Sequence, residues 1–349
     1  MNHILDISID ELKQWLSTHE QPGYRAAQIR KWLFHNRADS FESMNNLPNQ
    51  LKQALNEDLA IWTSKIVKHQ SSSDGTEKLL LELHDGGRIE CVLLRDGHRR
   101  TICISTQVGC AMGCVFCASG LDGVDRNLTT GEIIEQSLKL QSLLPDSERL
   151  SHVVVMGMGE PLANLDQLLP ALDTISSEDG LGISARRITI STVGLPKAMH
   201  RLSDMQTRYH LAVSLHAPND PLRNQLVPVN DNIGIKAILS AADRYFDTSG
   251  RRLTYEYVLL GDINDGEKHA QELVDLLHHR NALLNVIPYN PVDGLPYKTP
   301  SRNRVARFRS VLEAGNITIR FRQRKGDDIN AACGQLRRNE VVQIDMPNG

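Results

Sequence analysis

Apolar positions recur at helical spacing in three early runs, 9–16, 26–34 and 51–59, broken by Pro22-Gly23 and Leu47-Pro48. They predict a small helical domain over 1–70, with Arg25, Arg30, Lys31 and Arg37 giving it a basic side. Ser71-Ser72-Ser73-Asp74-Gly75 reads as a turn or linker. Runs 78–83 and 88–94 flank Asp85-Gly86-Gly87, which predicts a β-hairpin extension over 71–100. From residue 101 the period changes. Strand-like runs at 101–106, 152–156, 187–191, 210–215, 253–260 and 283–287 alternate with helical runs at 131–144, 165–175, 195–202, 233–246 and 267–279. A last helix, 302–314, precedes a strand at 317–321. Repeats of this kind imply an α/β fold, a partial (βα)6 barrel over 101–325 with helices outside. A Gly- and Asp-rich C-terminal segment, 326–349, follows.

In such folds functional residues stand at the C-terminal strand ends. Gly157-Met158-Gly159-Glu160, Ser191-Thr192, Ser214-Leu215-His216 and Pro288-Tyr289-Asn290 all follow predicted strands. Ordinary turns occur there too.

At 349 residues, and about 150 per domain, the chain has room for one large domain and a smaller one. Aromatic residues make up 5%, too few for a nucleic-acid platform built on many stacking rings. No apolar run approaches the roughly 20 residues of a membrane span. The opening Met1-Asn2-His3-Ile4-Leu5-Asp6 has no basic or apolar leader character. The expectation is a cytoplasmic protein. The formal charge of −3 hides an asymmetry: between Lys298 and Arg338 stand 11 Lys and Arg against 3 Asp and Glu. Arg302, Arg304, Arg307 and Arg309 crowd one helix, and Arg320, Arg322 and Arg324 alternate along a strand, which puts them on one face. Such a surface is either a solvated face or a contact for phosphates.

Five of the six cysteines, Cys91, Cys103, Cys110, Cys114 and Cys117, fall in one stretch, and Cys333 stands alone. In a reducing compartment they are not a static disulfide framework. Cys110-Ala111-Met112-Gly113-Cys114-Val115-Phe116-Cys117 follows the first barrel strand, on the loop at the barrel mouth. Three thiolates at this spacing suit a [4Fe–4S] cluster with one iron left for an outside ligand. A zinc site would need a fourth ligand from Cys103, Cys333 or a histidine. A redox pair of Cys114 and Cys117 would leave Cys110 without a role.

The CxxxCxxC spacing with Phe116 before its last cysteine resembles the radical S-adenosylmethionine (radical SAM) enzymes. That resemblance implies a [4Fe–4S] cluster on Cys110, Cys114 and Cys117, with S-adenosylmethionine on the open iron. It also implies reductive cleavage to a 5′-deoxyadenosyl radical. Gly159 and Glu160 match the motif that holds the methionine amino group. Ser191, Ser214, Leu215, His216 and Asn290 match the ribose- and carboxylate-binding positions.

The segment from Gly326 to Leu336, with Asn330-Ala331-Ala332-Cys333-Gly334-Gln335, resembles the C-terminal signature of the RlmN/Cfr group of radical SAM RNA methyltransferases. Gln107-Val108-Gly109-Cys110, Arg126-Asn127-Leu128, Ser214-Leu215-His216-Ala217-Pro218-Asn219 and Ile287-Pro288-Tyr289-Asn290-Pro291 match it as well. The resemblance implies methylation of adenosine carbon 2 in 23S rRNA and, by analogy, in tRNA. The N-terminal helices become an RNA-binding accessory domain. In that reading Cys333 relays the methyl group, Cys103 resolves the RNA adduct through a transient disulfide with it, and Glu90 accepts the ring proton. Two S-adenosylmethionine molecules are used per turnover, with a flavodoxin- or ferredoxin-like one-electron reductant, by a monomer free of the membrane. Gly159-Glu160-Pro161 resembles the RlmN form, whereas the Cfr form, which methylates carbon 8, tends to have Ala after the Glu. Cys91 reads as packing.

Overall fold

The computed structural model of the chain describes residues 2–322 and 325–337. Arg324 and the part of the C-terminal segment beyond Arg337 lie outside the described residues. Three helices open the chain, α1 (Ile9–Thr18), α2 (Arg25–Phe34) and α3 (Asn49–Asp58). Helix α1 starts where Ser8 Oγ accepts the Glu11 amide and the Glu11 carboxylate accepts the Ser8 amide. This exchange satisfies two donors near the helix start. Leu12, Leu16, Ile29, Leu33, Leu51 and Leu55 supply the shared apolar face.

Ten strands follow: β1 (Lys65–Ser71), β2 (Glu77–Glu82), β3 (Arg88–Asp96), β4 (Arg99–Cys103) and β5 (His152–Val155). The set continues with β6 (Ile188–Thr192), β7 (His210–Ser214), β8 (Leu253–Leu259), β9 (Ala282–Pro288) and β10 (Ile319–Phe321). They lie side by side in chain order as one sheet. The meander β1 to β4 is antiparallel. From β4 to β10 every pairing is parallel. Parallel neighbours need crossover connections. These carry α4 (Thr130–Gln141), α5 (Leu165–Ser176), α6 (Pro196–Asp204), α7 (Asp220–Leu226), α8 (Ile235–Ser249), α9 (Glu267–Leu277) and α10 (Arg302–Ala314). Among the described residues no helix is long and apolar enough to cross a membrane.

Among the elements that escaped the periodicity, two have clear causes. Strand β1 is solvated along nearly its whole length and carries a register shift between Ile66 and Lys68, so no alternation marks it. Helix α7 spans under two turns, and its start depends on the Asn219 side chain accepting the Leu222 amide.

Because side chains alternate between sheet faces, the register determines what meets inside. Lys78 pairs with Val92 and Leu80 with Glu90. Val92 pairs with Cys103, and Cys103 with Val154. The same face continues through Ser191, Ser214, Glu256, Asn285 and Arg320. Lys78, Glu90, Cys103, Ser191, Ser214 and Glu256 therefore share one side of a sheet ten strands wide. Cys91 takes the opposite side, fully buried in the core, as its packing role requires.

Helix α4 joins the N-terminal domain to the barrel. Its buried Glu135 accepts from the amide and hydroxyl of both Thr63 and Ser64. Gly131 lets His3 approach so closely that a Cβ would stand 2.4 Å from the His3 ring nitrogen.

Part of the expected basic surface is structural. Arg37 donates to the carbonyls of Leu144 and Glu148, bolting α2 to the loop after α4. Arg304 makes two 2.8 Å bonds to the buried carboxylate of Asp265, and Arg309 lies over the Phe321 ring. Arg302 and Arg320 stay exposed.

Candidate active site

The loop after β4 forms a two-stranded ribbon, Gln107–Gly109 against Val124–Asn127, with the cysteine motif between its strands. Gly109 makes this ribbon possible: it has φ +79°, and a Cβ there would lie 2.1 Å from the Gly123 carbonyl oxygen. Cys110, Cys114 and Cys117 line a cleft of about 960 Å³, open water at its mouth included, in the barrel mouth. Glu160, Ser191, Ser214, His216, Glu256, Asn290 and Cys333 line the same cleft.

Glu160 follows β5. One carboxylate oxygen accepts the Leu162 amide at 3.0 Å and the other the Val193 amide at 2.9 Å, so both neighbouring strand ends orient it. Burial raises its pKa, opposed by these amides and by Thr192. Gly159 stands at φ +104°, and a Cβ there would meet the Gln107 side chain at 2.7 Å. Only glycine fits.

His216 also adopts a positive φ, 60°. Its Nδ1 accepts the Val258 amide at 3.1 Å, which assigns the proton to Nε2. Burial, aided by the charge of Arg223, pushes its pKa down to about 3, so the ring is neutral. The Phe116 ring stands edge-on to it, with centroids 4.9 Å apart. The Leu215 side chain is fully buried in the core and does not line the cleft; its amide donates to the Glu256 carbonyl. Beneath this wall the buried Arg223 guanidinium donates to the carbonyls of Val193, Ser214 and Leu215. It ties the ends of β6 and β7 together.

Residues 325–337 return across the mouth as a strap. Gly334 accepts the Ala118 amide at 2.8 Å, and the Leu336 carbonyl accepts Ser119 Oγ at 2.8 Å, so the strap lies against the cysteine loop. Asn290 Nδ2 donates to the Cys333 carbonyl at 3.1 Å. Burial raises the Cys333 thiol pKa; Glu256 and Cys117 raise it further, whereas Arg322 lowers it. Cys103 is its neighbour, pushed up to about 12 by burial and then by the charge of Cys333. Glu90, on the same sheet face, is buried beside Lys78 at 2.9 Å and accepts the Arg337 amide at 2.8 Å. Burial raises its pKa against the pull of Lys78.

The donor set suits a cluster and its ligand. Burial raises the three motif thiols, Cys110 to about 12, so their ionised forms call for a cationic partner. Among the described residues no three His, Cys, Asp or Glu side chains converge on a single metal ion. A closed zinc site needs such convergence; a cluster bound by one thiolate per iron does not. Among the described residues the buried Asn290 Oδ1 has no hydrogen-bond partner, which leaves an acceptor for a ligand.

Sequence reading missed Glu256 and Arg223, and took Arg322 for part of a phosphate-contacting surface. Burial pushes the Glu256 carboxyl up to about 7, against Arg322 and a 2.7 Å bond from Asn285. Its signal was a charge on the inward row Thr254, Glu256, Val258 of an otherwise apolar strand. Arg322 does share a face with Arg320, as alternation required. It is nonetheless directed at Glu256, Cys103 and Cys333, not at an outer phosphate surface.

Barrel, cysteine loop and cleft together define a radical SAM enzyme. Residues 104–276 match the model of the radical SAM superfamily, and residues 2–61 match that of the ribosomal RNA large subunit methyltransferase N-terminal domain. The chain is 64% identical over 338 residues to a probable dual-specificity RNA methyltransferase RlmN of Rhodopirellula baltica, covering 97% of this chain and 91% of that one. The corresponding Bacillus subtilis protein is 42% identical, covering 97% and 93%. A radical SAM methyltransferase from Sphaerobacter thermophilus superimposes with a TM-score of 0.94 at 40% identity, covering 97% of this chain and all of that one. The chain belongs to the RlmN family of radical SAM RNA methyltransferases.

Proposed function

We propose that this enzyme methylates carbon 2 of adenosine in 23S rRNA and in tRNA, through a methyl group carried on Cys333. The observation that carries the reading is the cleft shared by Cys333 and the three motif thiols, with Cys103 within electrostatic reach of Cys333. The fit of the donors supports a [4Fe–4S] cluster on Cys110, Cys114 and Cys117, with S-adenosylmethionine held by Glu160, Ser191, Ser214 and Asn290. When bound, these groups supply a transferable methyl group and a 5′-deoxyadenosyl radical.

Carbon 2 of adenine is electron-poor and does not attack a sulfonium methyl group directly. A cysteine that first takes the methyl group and then presents it as a carbon radical removes that obstacle. Cys333 has this role here. Glu90 takes the ring proton from the adduct, whose odd electron the cluster, when bound, would take up. Cys103 then forms a disulfide with Cys333 as the Cys333 sulfur–carbon bond breaks. The departing methylene carbon keeps the electron pair of that bond and gains a proton to become the methyl group. A flavodoxin- or ferredoxin-like donor supplies electrons, and the enzyme works as a cytoplasmic monomer. The target adenosine leaves its stack to reach the cleft. Arg302, Arg320 and the N-terminal helices offer phosphate contacts, which position RNA without reading it.

The test is anaerobic assay of the iron-loaded chain on both RNAs, followed by mass and fragmentation analysis of the adenosine. 2-Methyladenosine is expected. An 8-methyl product would assign the Cfr-type reaction instead. Colourless protein that carries zinc and modifies neither RNA would leave an RNA-binding module.

A further inference from the structure

Lys78 belongs to no motif, yet it is buried, with 5% of its surface exposed. A lysine is almost never enclosed this far unless paired. It stands on β2, diagonal to Glu90 on β3, since Leu80 is the residue directly opposite Glu90. Diagonal neighbours on one face are within reach of long side chains. Its Nζ lies 2.9 Å from Glu90 Oε1. The same ammonium donates to the Asn330 carbonyl at 3.0 Å. Glu90 Oε2 in turn accepts the Arg337 amide at 2.8 Å. One ion pair thus grips the strap on both sides of Cys333, three residues before it and four after.

We propose that Lys78 is a positioning residue of this site: its ammonium pairs with Glu90 inside the protein and anchors the Cys333 strap, so that one cation aligns proton acceptor and relay. The proposal rests on the assignment of Glu90 as proton acceptor, and extends it to the group that makes a buried acceptor usable.

A carboxylate enclosed without a partner takes up a proton and can no longer accept one. The groups facing Glu90 are Lys78 and Lys68, both of which lower its pKa, and the Arg337 amide, which does the same; burial outweighs them. Lys78 heads the lowering charges. Without it the carboxyl pKa rises further, and the carboxylate forms only at higher pH. An arginine in its place keeps the charge.

Two measurements on the full-length, iron-loaded protein test this. The first is hydrogen exchange of the amides in 326–337, without RNA or S-adenosylmethionine. Lys78→Met should speed exchange at least about tenfold, as expected when one partner of a buried pair is removed, and Lys78→Arg should restore protection. The amides of β5 serve as the folding control. The second is the pH profile for resolution of the RNA–protein adduct. Its midpoint should rise by at least about one unit in Lys78→Met and return in Lys78→Arg. A Lys78→Met protein with wild-type strap exchange and a wild-type midpoint overturns the proposal. Glu90→Gln separates the two readings: normal adduct resolution in that variant removes Glu90 as acceptor, whereas the exchange result bears on the anchoring by Lys78 alone.

Discussion

Asn290 faces two ways: its Nδ2 holds the Cys333 carbonyl at 3.1 Å, and its buried Oδ1 has no hydrogen-bond partner among the described residues. One side chain therefore fixes the backbone at Cys333 and offers an acceptor to whatever fills the cleft. Loss of such a contact weakens binding by about 1–3 kcal/mol. Asn290→Ala should weaken S-adenosylmethionine binding by roughly tenfold, measured by anaerobic equilibrium dialysis. Unchanged affinity would remove Oδ1 from the ligand set.

Cys333 shares the cleft with the three motif thiols but sits outside their loop. Cys333→Ala should keep about four irons per chain and yield no methylated RNA. Iron analysis and RNA mass spectrometry read the two halves of this outcome. Ordinary turnover by the variant would defeat the relay.

Cys103 stands at the end of β4, within electrostatic reach of Cys333. A thiol pushed up to about 12 is mostly protonated near neutrality, so its attack requires that a base take its proton. Cys103→Ala should accumulate RNA covalently joined to protein, seen as a shifted band on a denaturing gel. Clean release at the wild-type rate would exclude Cys103 as the resolving thiol.

Glu256 has a carboxyl pKa of about 7 in the fold against an ordinary 4.5. Its protonated form is favoured by folding. That contribution is complete below about pH 4.5 and is lost as pH rises through about 7. The charge facing it is that of Arg322. Glu256→Gln should therefore match the wild type in stability at pH 5 and exceed it at pH 8, by up to about 3 kcal/mol. Urea unfolding at both values checks this, and a gap that does not widen with pH contradicts it.

Much of this was legible from the chain alone because it is carried by local spacing. Helical periodicity located α1 to α3, and the alternation of strand and helix located the barrel. The cysteine loop announced itself through the spacing of Cys110, Cys114 and Cys117. Strand β1 was lost because both its faces meet solvent. Arg304 and Arg37 were taken for surface charge because a guanidinium looks the same in sequence whether it meets phosphate or Asp265. Lys78 and Glu256 carried no motif, and their importance depends on partners distant in the chain.

The sequence by itself determined which elements form and which residue types stand at the strand ends, since period and turn chemistry act over a few residues. Tertiary structure alone decided the company those residues keep. Strand register set Lys78, Glu90, Cys103 and Glu256 on one face, and the returning strap brought Cys333 to it. Contacts between residues more than a hundred positions apart depend on how the whole sheet is assembled, and no local pattern encodes them.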